Sequence, residues 1–129
     1  MIIKEMEYKP EYINETLATG TYKDHKYIVK NYGINPCAYV SLDPNCAIDT
    51  DFINCHGGIT YCANCLPREE PVDDVWWIGW DYSHLGDFVD INATDDAPGK
   101  RWTSEEMEQE CLKVIVQLEE LLDRYNSNS

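Results

Sequence analysis

Residues 75–82 read Val-Trp-Trp-Ile-Gly-Trp-Asp-Tyr, the most nearly continuous apolar and aromatic stretch in a chain of 129 residues. A strand with one face in water alternates apolar and polar side chains. A run that is apolar at almost every position has to be covered on both faces. The stretch therefore predicts a central strand over Val75–Tyr82. Such a strand needs a neighbour on each side and a layer packed above it, and the rest of the chain has to supply them.

Tyr27–Asn31 and Cys37–Leu42 are rich in aromatic and aliphatic residues and read as two of those neighbours. Ile59–Cys62 reads as another, fed by the turn at Gly57-Gly58. Residues 1–20 are polar and weakly patterned. Lys9-Pro10-Glu11 interrupts any helix there, and Thr19-Gly20 reads as a turn, so the segment is expected to be irregular. The sheet is placed over 21–90, followed by a turn-rich loop from Asp90 to Arg101.

The layer above the sheet comes from the C-terminus. Thr103-Ser104-Glu105-Glu106 has the spacing of a capping box. Met107, Cys111, Val114, Leu118, Leu121 and Tyr125 then recur by four and three residues as one apolar stripe. The spacing predicts an amphipathic helix over 103–125, packed across the sheet or, as the rival reading, forming a two-helix dimer seam. The expected fold is α+β in a single domain, 1–129. It is an antiparallel sheet of about four to five strands with the C-terminal helix on one face.

Charge narrows the partners. The formal net charge is −14, from 24 acidic and 10 basic residues. Nucleic-acid backbones are bound by clustered Lys and Arg, and this chain has no such cluster, so direct nucleic-acid binding is disfavoured. No apolar run is long enough to span a bilayer, and the N-terminus lacks the pattern of a signal peptide. A cytoplasmic protein is expected, with a homo-oligomer left open. Six cysteines in that compartment are free thiols or metal ligands sooner than disulfides.

Residues 55–87 concentrate the chemistry. They hold two of the three histidines, three of the four tryptophans and four of the seven glycines. Cys55-His56-Gly57-Gly58-Ile59-Thr60-Tyr61 opens the block, and Trp76-Trp77-Ile78-Gly79-Trp80-Asp81 runs on to His84-Leu85-Gly86-Asp87. If the glycine turn meets the end of the tryptophan strand, His56, Asp81, His84 and Asp87 share one end of the sheet. Imidazole and carboxylate together suit a divalent metal, a carboxylate-oriented general base, or hydrogen bonds to a small polar ligand. Gly57 and Gly58 let backbone N–H groups approach such a ligand. Thr60 and Tyr61 flank it, and Trp77 or Trp80 offers a stacking wall. A separate reading takes the Cys62-Ala-Asn-Cys65 pair with Cys55 as half of a structural zinc site.

On these residues the chain resembles a family of small proteins encoded by bacteriophages and prophages. The resemblance runs from Cys37-Ala-Tyr-Val through His56-Gly-Gly-Ile-Thr-Tyr61, Trp76-Trp-Ile-Gly-Trp-Asp81 and His84-Leu-Gly-Asp87 into the closing helix, about three-quarters of the chain. In that family Phe more often stands at the position of Trp80, and the cysteine pair is not part of the pattern. The resemblance implies a setting rather than a mechanism. Small acidic phage accessory proteins often interfere with host machinery, including immune effectors and their nucleotide signals. The expected function is a phage-type accessory protein of the host cytoplasm, with a counter-defence role among its uses, that binds a small polar or nucleotide-like ligand or a host protein. The alternatives are a metal-dependent hydrolase built on the His/Asp set and an acidic mimic of nucleic acid that inhibits a host protein.

Overall fold

A computed structural model of the chain describes residues 14–32, 35–43, 49–71, 75–82 and 102–127. Among the described residues five strands, β1 (Glu15–Tyr22), β2 (His25–Asn31), β3 (Pro36–Leu42), β4 (Tyr61–Ala63) and β5 (Trp76–Asp81), precede one long helix, α1 (Ser104–Ser127). The strands form one open antiparallel sheet in the order β1-β2-β3-β5-β4. The fold is α+β, with α1 laid across β1, β2 and β3. Among the described residues no helix is long and apolar enough to cross a membrane.

The tryptophan strand is interior, as its composition demands. β5 pairs with β3 on one side and β4 on the other. Its period of two sends Ile78 and Trp80 towards α1 and Trp77 and Gly79 to the opposite face. The helix side forms the main core. Tyr27, Val29, Ala38, Val40, Ile78 and Trp80 meet Met107, Cys111, Val114, Ile115 and Leu118, and Ile53 joins them from the segment before β4. These helix positions recur at the spacing of one face, and from Met107 to Leu118 the apolar stripe read from the sequence is the face that is buried. The cap has the expected form: the Glu106 backbone N–H donates to Thr103 Oγ1 at 3.1 Å, and the Thr103 backbone N–H donates to Glu106 Oε1 at 3.0 Å.

The opposite face carries a smaller cover. Tyr39 and Tyr61 meet edge to face, with ring centroids 5.2 Å apart. Tyr39 occupies the space above Gly79, where an added Cβ would come within 2.5 Å of its ring. Gly79 is therefore the gap in the apolar run that lets a tyrosine from the neighbouring strand lie flat on the sheet.

One expectation is overturned. Residues 15–20 are not irregular, and Thr19-Gly20 is not a turn: β1 runs through both. The turn comes at Lys23-Asp24, where φ values of 49° and 68° close a two-residue hairpin between Tyr22 and His25. Successive positive φ angles match the twist of the flanking strands. Gly20 serves packing instead. Tyr27 of β2 lies across it, and a Cβ at position 20 would sit 2.5 Å from the Tyr27 hydroxyl oxygen. A bulge between Thr16 and Ala18 breaks the period of two and lets both Leu17 and Ala18 lean on the core. That break hides the strand from a search for alternation. The strand expected over Ile59–Cys62 is the short β4, Tyr61–Ala63.

Candidate functional site

The segment before β4 is tied to α1 at two places. Gln117 brackets the backbone of Asn54, accepting from its N–H at 2.6 Å and donating to its carbonyl at 2.8 Å. Two helical turns earlier, Glu110 Oε2 accepts the backbone N–H of His56 at 2.8 Å. Between these ties the chain turns tightly: Gly58 N–H donates to the Cys55 carbonyl at 3.0 Å, and Gly57 and Gly58 take φ values of 73° and 80°. The Gly-Gly pair is required here, because two consecutive residues sit where a Cβ is strained. Thr60 N–H then donates to the Gly79 carbonyl at 2.9 Å and leads the chain into β4.

The turn brings the His56 imidazole against Tyr82, just beyond β5. The two rings are stacked, 5.0 Å apart and 12° from parallel. Trp102, two residues before α1, leans on both at 4.9 and 5.1 Å. The Tyr82 hydroxyl donates to the second Glu110 oxygen and accepts from Trp80 Nε1 at 3.0 Å. Burial first, and then the bond to Glu110, raise the Tyr82 phenol far above its ordinary value, so it stays a donor. Burial and the same carboxylate push the Cys55 thiol up to about 12. Glu110 thus holds a phenol and a backbone amide in one corner of the fold.

Of the residues nominated from sequence, this corner collects His56, Gly57 and Gly58, with Thr60 exposed at its edge. It does not collect the others. Asp81 precedes Tyr82 by one residue, and strand alternation turns it to the face away from α1, where its charge acts on Cys37 across the β3–β5 pairing. Tyr61 and Trp77 lie on that same far face, and the Tyr61 hydroxyl donates to the Cys65 carbonyl. Trp80 is buried at 1% exposure and is no stacking wall. His84 and Asp87 lie outside the described residues. Among the described residues no three His, Cys, Asp or Glu side chains gather around a point that would suit a metal. Cys55, Cys62 and Cys65 therefore do not form a zinc set: Cys55 packs against the core and Cys62 is exposed.

Trp102 and Glu110 were not singled out from sequence. Glu110 had a signal. It lies three residues after Met107 and four before Val114, so it falls on the apolar stripe, where a carboxylate has to find donors. Trp102 had none, since a tryptophan just ahead of a capping box makes no pattern.

The opposite end of β3 holds the third histidine. His25, 8% exposed, brings Nδ1 to 2.7 Å from the Ser41 carbonyl. A carbonyl only accepts, so Nδ1 carries the hydrogen, and Nε2 faces the Glu119 carboxylate at 3.5 Å. Beside this pair opens a cleft of about 430 Å³ lined by Lys23, Asp24, His25, Lys26, Ser41, Leu42, Asp43, Val75 and Glu119. The floor is set by the fold: the hairpin delivers His25, the end of β3 delivers Ser41, and the middle of α1 delivers Glu119.

Compared with family models, with curated proteins and with solved structures, the chain matches none.

Proposed function

We propose that the protein works by binding a small polar ligand of nucleotide type, and that the ligand enters the cleft beside His25. The carrying observation is the cleft itself. Its volume, about 430 Å³, falls in the range of small-molecule sites, roughly 300–1,000 Å³. Lys23 and Lys26 line it together with Asp24, Asp43 and Glu119, so the lining is mixed in charge, and the two ammonium groups suit a phosphate or another polar oxygen of the ligand. His25 Nε2 and the Glu119 carboxylate then suit the hydroxyl or amino groups of the same molecule. The resemblance to phage-encoded proteins supports the setting: an accessory protein in the host cytoplasm that sequesters a host signal. A second reading keeps the ligand at His56. It is favoured by the space beside Gly58, where an added Cβ would meet nothing within 4 Å among the described residues.

Calorimetric titration with a panel of nucleoside monophosphates, diphosphates and cyclic dinucleotides tests both. For the cleft, Lys26→Ala and Glu119→Gln weaken binding at least about tenfold, or 1.4 kcal/mol, while His56→Ala binds as the wild type does. The reverse pattern moves the ligand to His56. Panel-wide silence from the wild-type protein rejects both.

A further inference from the structure

We propose that the cleft beside His25 selects its ligand by an amino group, held between His25 and Glu119; this deepens the reading of that cleft as the binding site and rests on it. The orientation of the imidazole carries the inference. Nδ1 lies 2.7 Å from the Ser41 carbonyl, which only accepts, so Nδ1 has the hydrogen and Nε2 of the neutral ring is a bare lone pair. That lone pair faces Glu119 Oε2 at 3.5 Å, longer than an ordinary hydrogen bond. Two acceptors thus stand opposite each other with no hydrogen between them. The fold holds them there. His25 closes the hairpin opposite Tyr22, its ring is buried, and the Lys26 N–H donates to Ser41 Oγ at 2.8 Å, which ties β2 to the same residue of β3.

A donor set between the two acceptors completes the pair. A nitrogen roughly 2.9 Å from each can give one hydrogen to each, because the two atoms are only 3.5 Å apart. The exocyclic amino group of a nucleobase has the two hydrogens this needs. A hydroxyl has one, and a carbonyl oxygen in the same place would be a third acceptor against two. The rest of the cleft does not supply the donor. Among the described residues Glu119 makes no ion pair with a lysine or an arginine, while Asp24 and Asp43 add further acceptors to the lining. The Glu119 side chain is 38% exposed, so a ligand can reach it. For a ligand of nucleotide type the pair therefore selects adenine, cytosine or guanine over hypoxanthine or uracil.

Two measurements on the full chain test this. Nitrogen-15 spectra of the imidazoles without ligand, at about pH 7.5 and with the His25 signal assigned by its loss in His25→Asn, should show a hydrogen on Nδ1 and none on Nε2. A hydrogen on Nε2, in the other tautomer or in the imidazolium, overturns the proposal. Calorimetric titration then compares AMP with IMP and CMP with UMP, which exchange amino for carbonyl at one ring carbon, and GMP with IMP, which lacks the amino group. Wherever the amino member binds, it should bind at least about tenfold tighter than its counterpart. Glu119→Gln, whose amide can donate to Nε2, should bring the two within about twofold. Binding that Lys26→Ala weakens, with both members of every pair bound alike, overturns this inference and leaves the cleft as the site. Binding that Lys26→Ala does not change overturns the cleft and this inference together. Silence from all five nucleotides overturns the inference as well.

Discussion

Tyr27 crosses the backbone of Gly20 and donates its hydroxyl to Glu108 of α1 at 2.5 Å. One residue thus joins edge strand, sheet and helix. The contact needs a bare α-carbon at position 20, which is why a glycine stands in mid-strand.

Gly20→Ala is expected to destabilise the fold by about 1–3 kcal/mol, the usual cost of forcing extra volume into a packed site. The Tyr27 ring has to move, and its bond to Glu108 goes with it. Urea denaturation measures the loss. Gly20→Ala combined with Tyr27→Val should cost less than the sum of the two single changes, because the smaller side chain removes the clash. Full additivity would show that the ring does not lie where the structure has it.

Glu110→Ala leaves the Tyr82 hydroxyl without its acceptor and the His56 amide without a partner. The expected loss is about 2–6 kcal/mol, given roughly 1–3 kcal/mol for each of the two stranded groups. Glu110→Gln keeps one acceptor and should cost clearly less. Trp102 touches both rings of the corner, so tryptophan emission should shift to the red in Glu110→Ala. A loss as small as that of an exposed glutamate on the same helix, such as Glu105, would mean the corner is not held in this way.

Stability should fall on the alkaline side. The bond to Glu108, then burial, push the Tyr27 phenol up to about 12 from 10.0, and burial with nearby carboxylates pushes the Cys55 and Cys111 thiols up to about 12 from 9.0. A group whose folded pKa lies above its unfolded value binds more protons when folded. Its contribution is complete below the unfolded pKa and disappears as pH rises through the folded one. Melting temperature is expected to hold up to about pH 9 and then drop towards about pH 12. Tyr27→Phe should flatten the part of the decline above about pH 10. A steady rise in stability over that window would contradict the buried, protonated state of these groups.

The readable parts of the chain were those whose pattern is local. The Thr103–Glu106 cap and the stripe from Met107 to Leu118 mark α1 because helix periodicity and capping lie within a few residues. The density of apolar residues from Val75 marks β5 as interior for the same reason. β1 escaped notice because its bulge breaks the alternation and its glycine looks like a turn. Both features answer to β2 and the core, not to sequence neighbours. The nominated site divided along strand parity: Tyr82 meets His56, while Asp81, one residue earlier, faces the other way.

Sequence by itself determined that the C-terminal segment is an amphipathic helix, that β2, β3 and β5 are strands with β5 interior, and that His56 stands on a glycine turn, since dihedral preference and hydrophobic period act over short range. Tertiary structure alone decided which side chains share a space. Glu110 meets Tyr82, and His25 meets Glu119 at the far end of β3, through contacts between residues distant in the chain. No spacing encodes them, because strand order and the placement of the helix on the sheet set them.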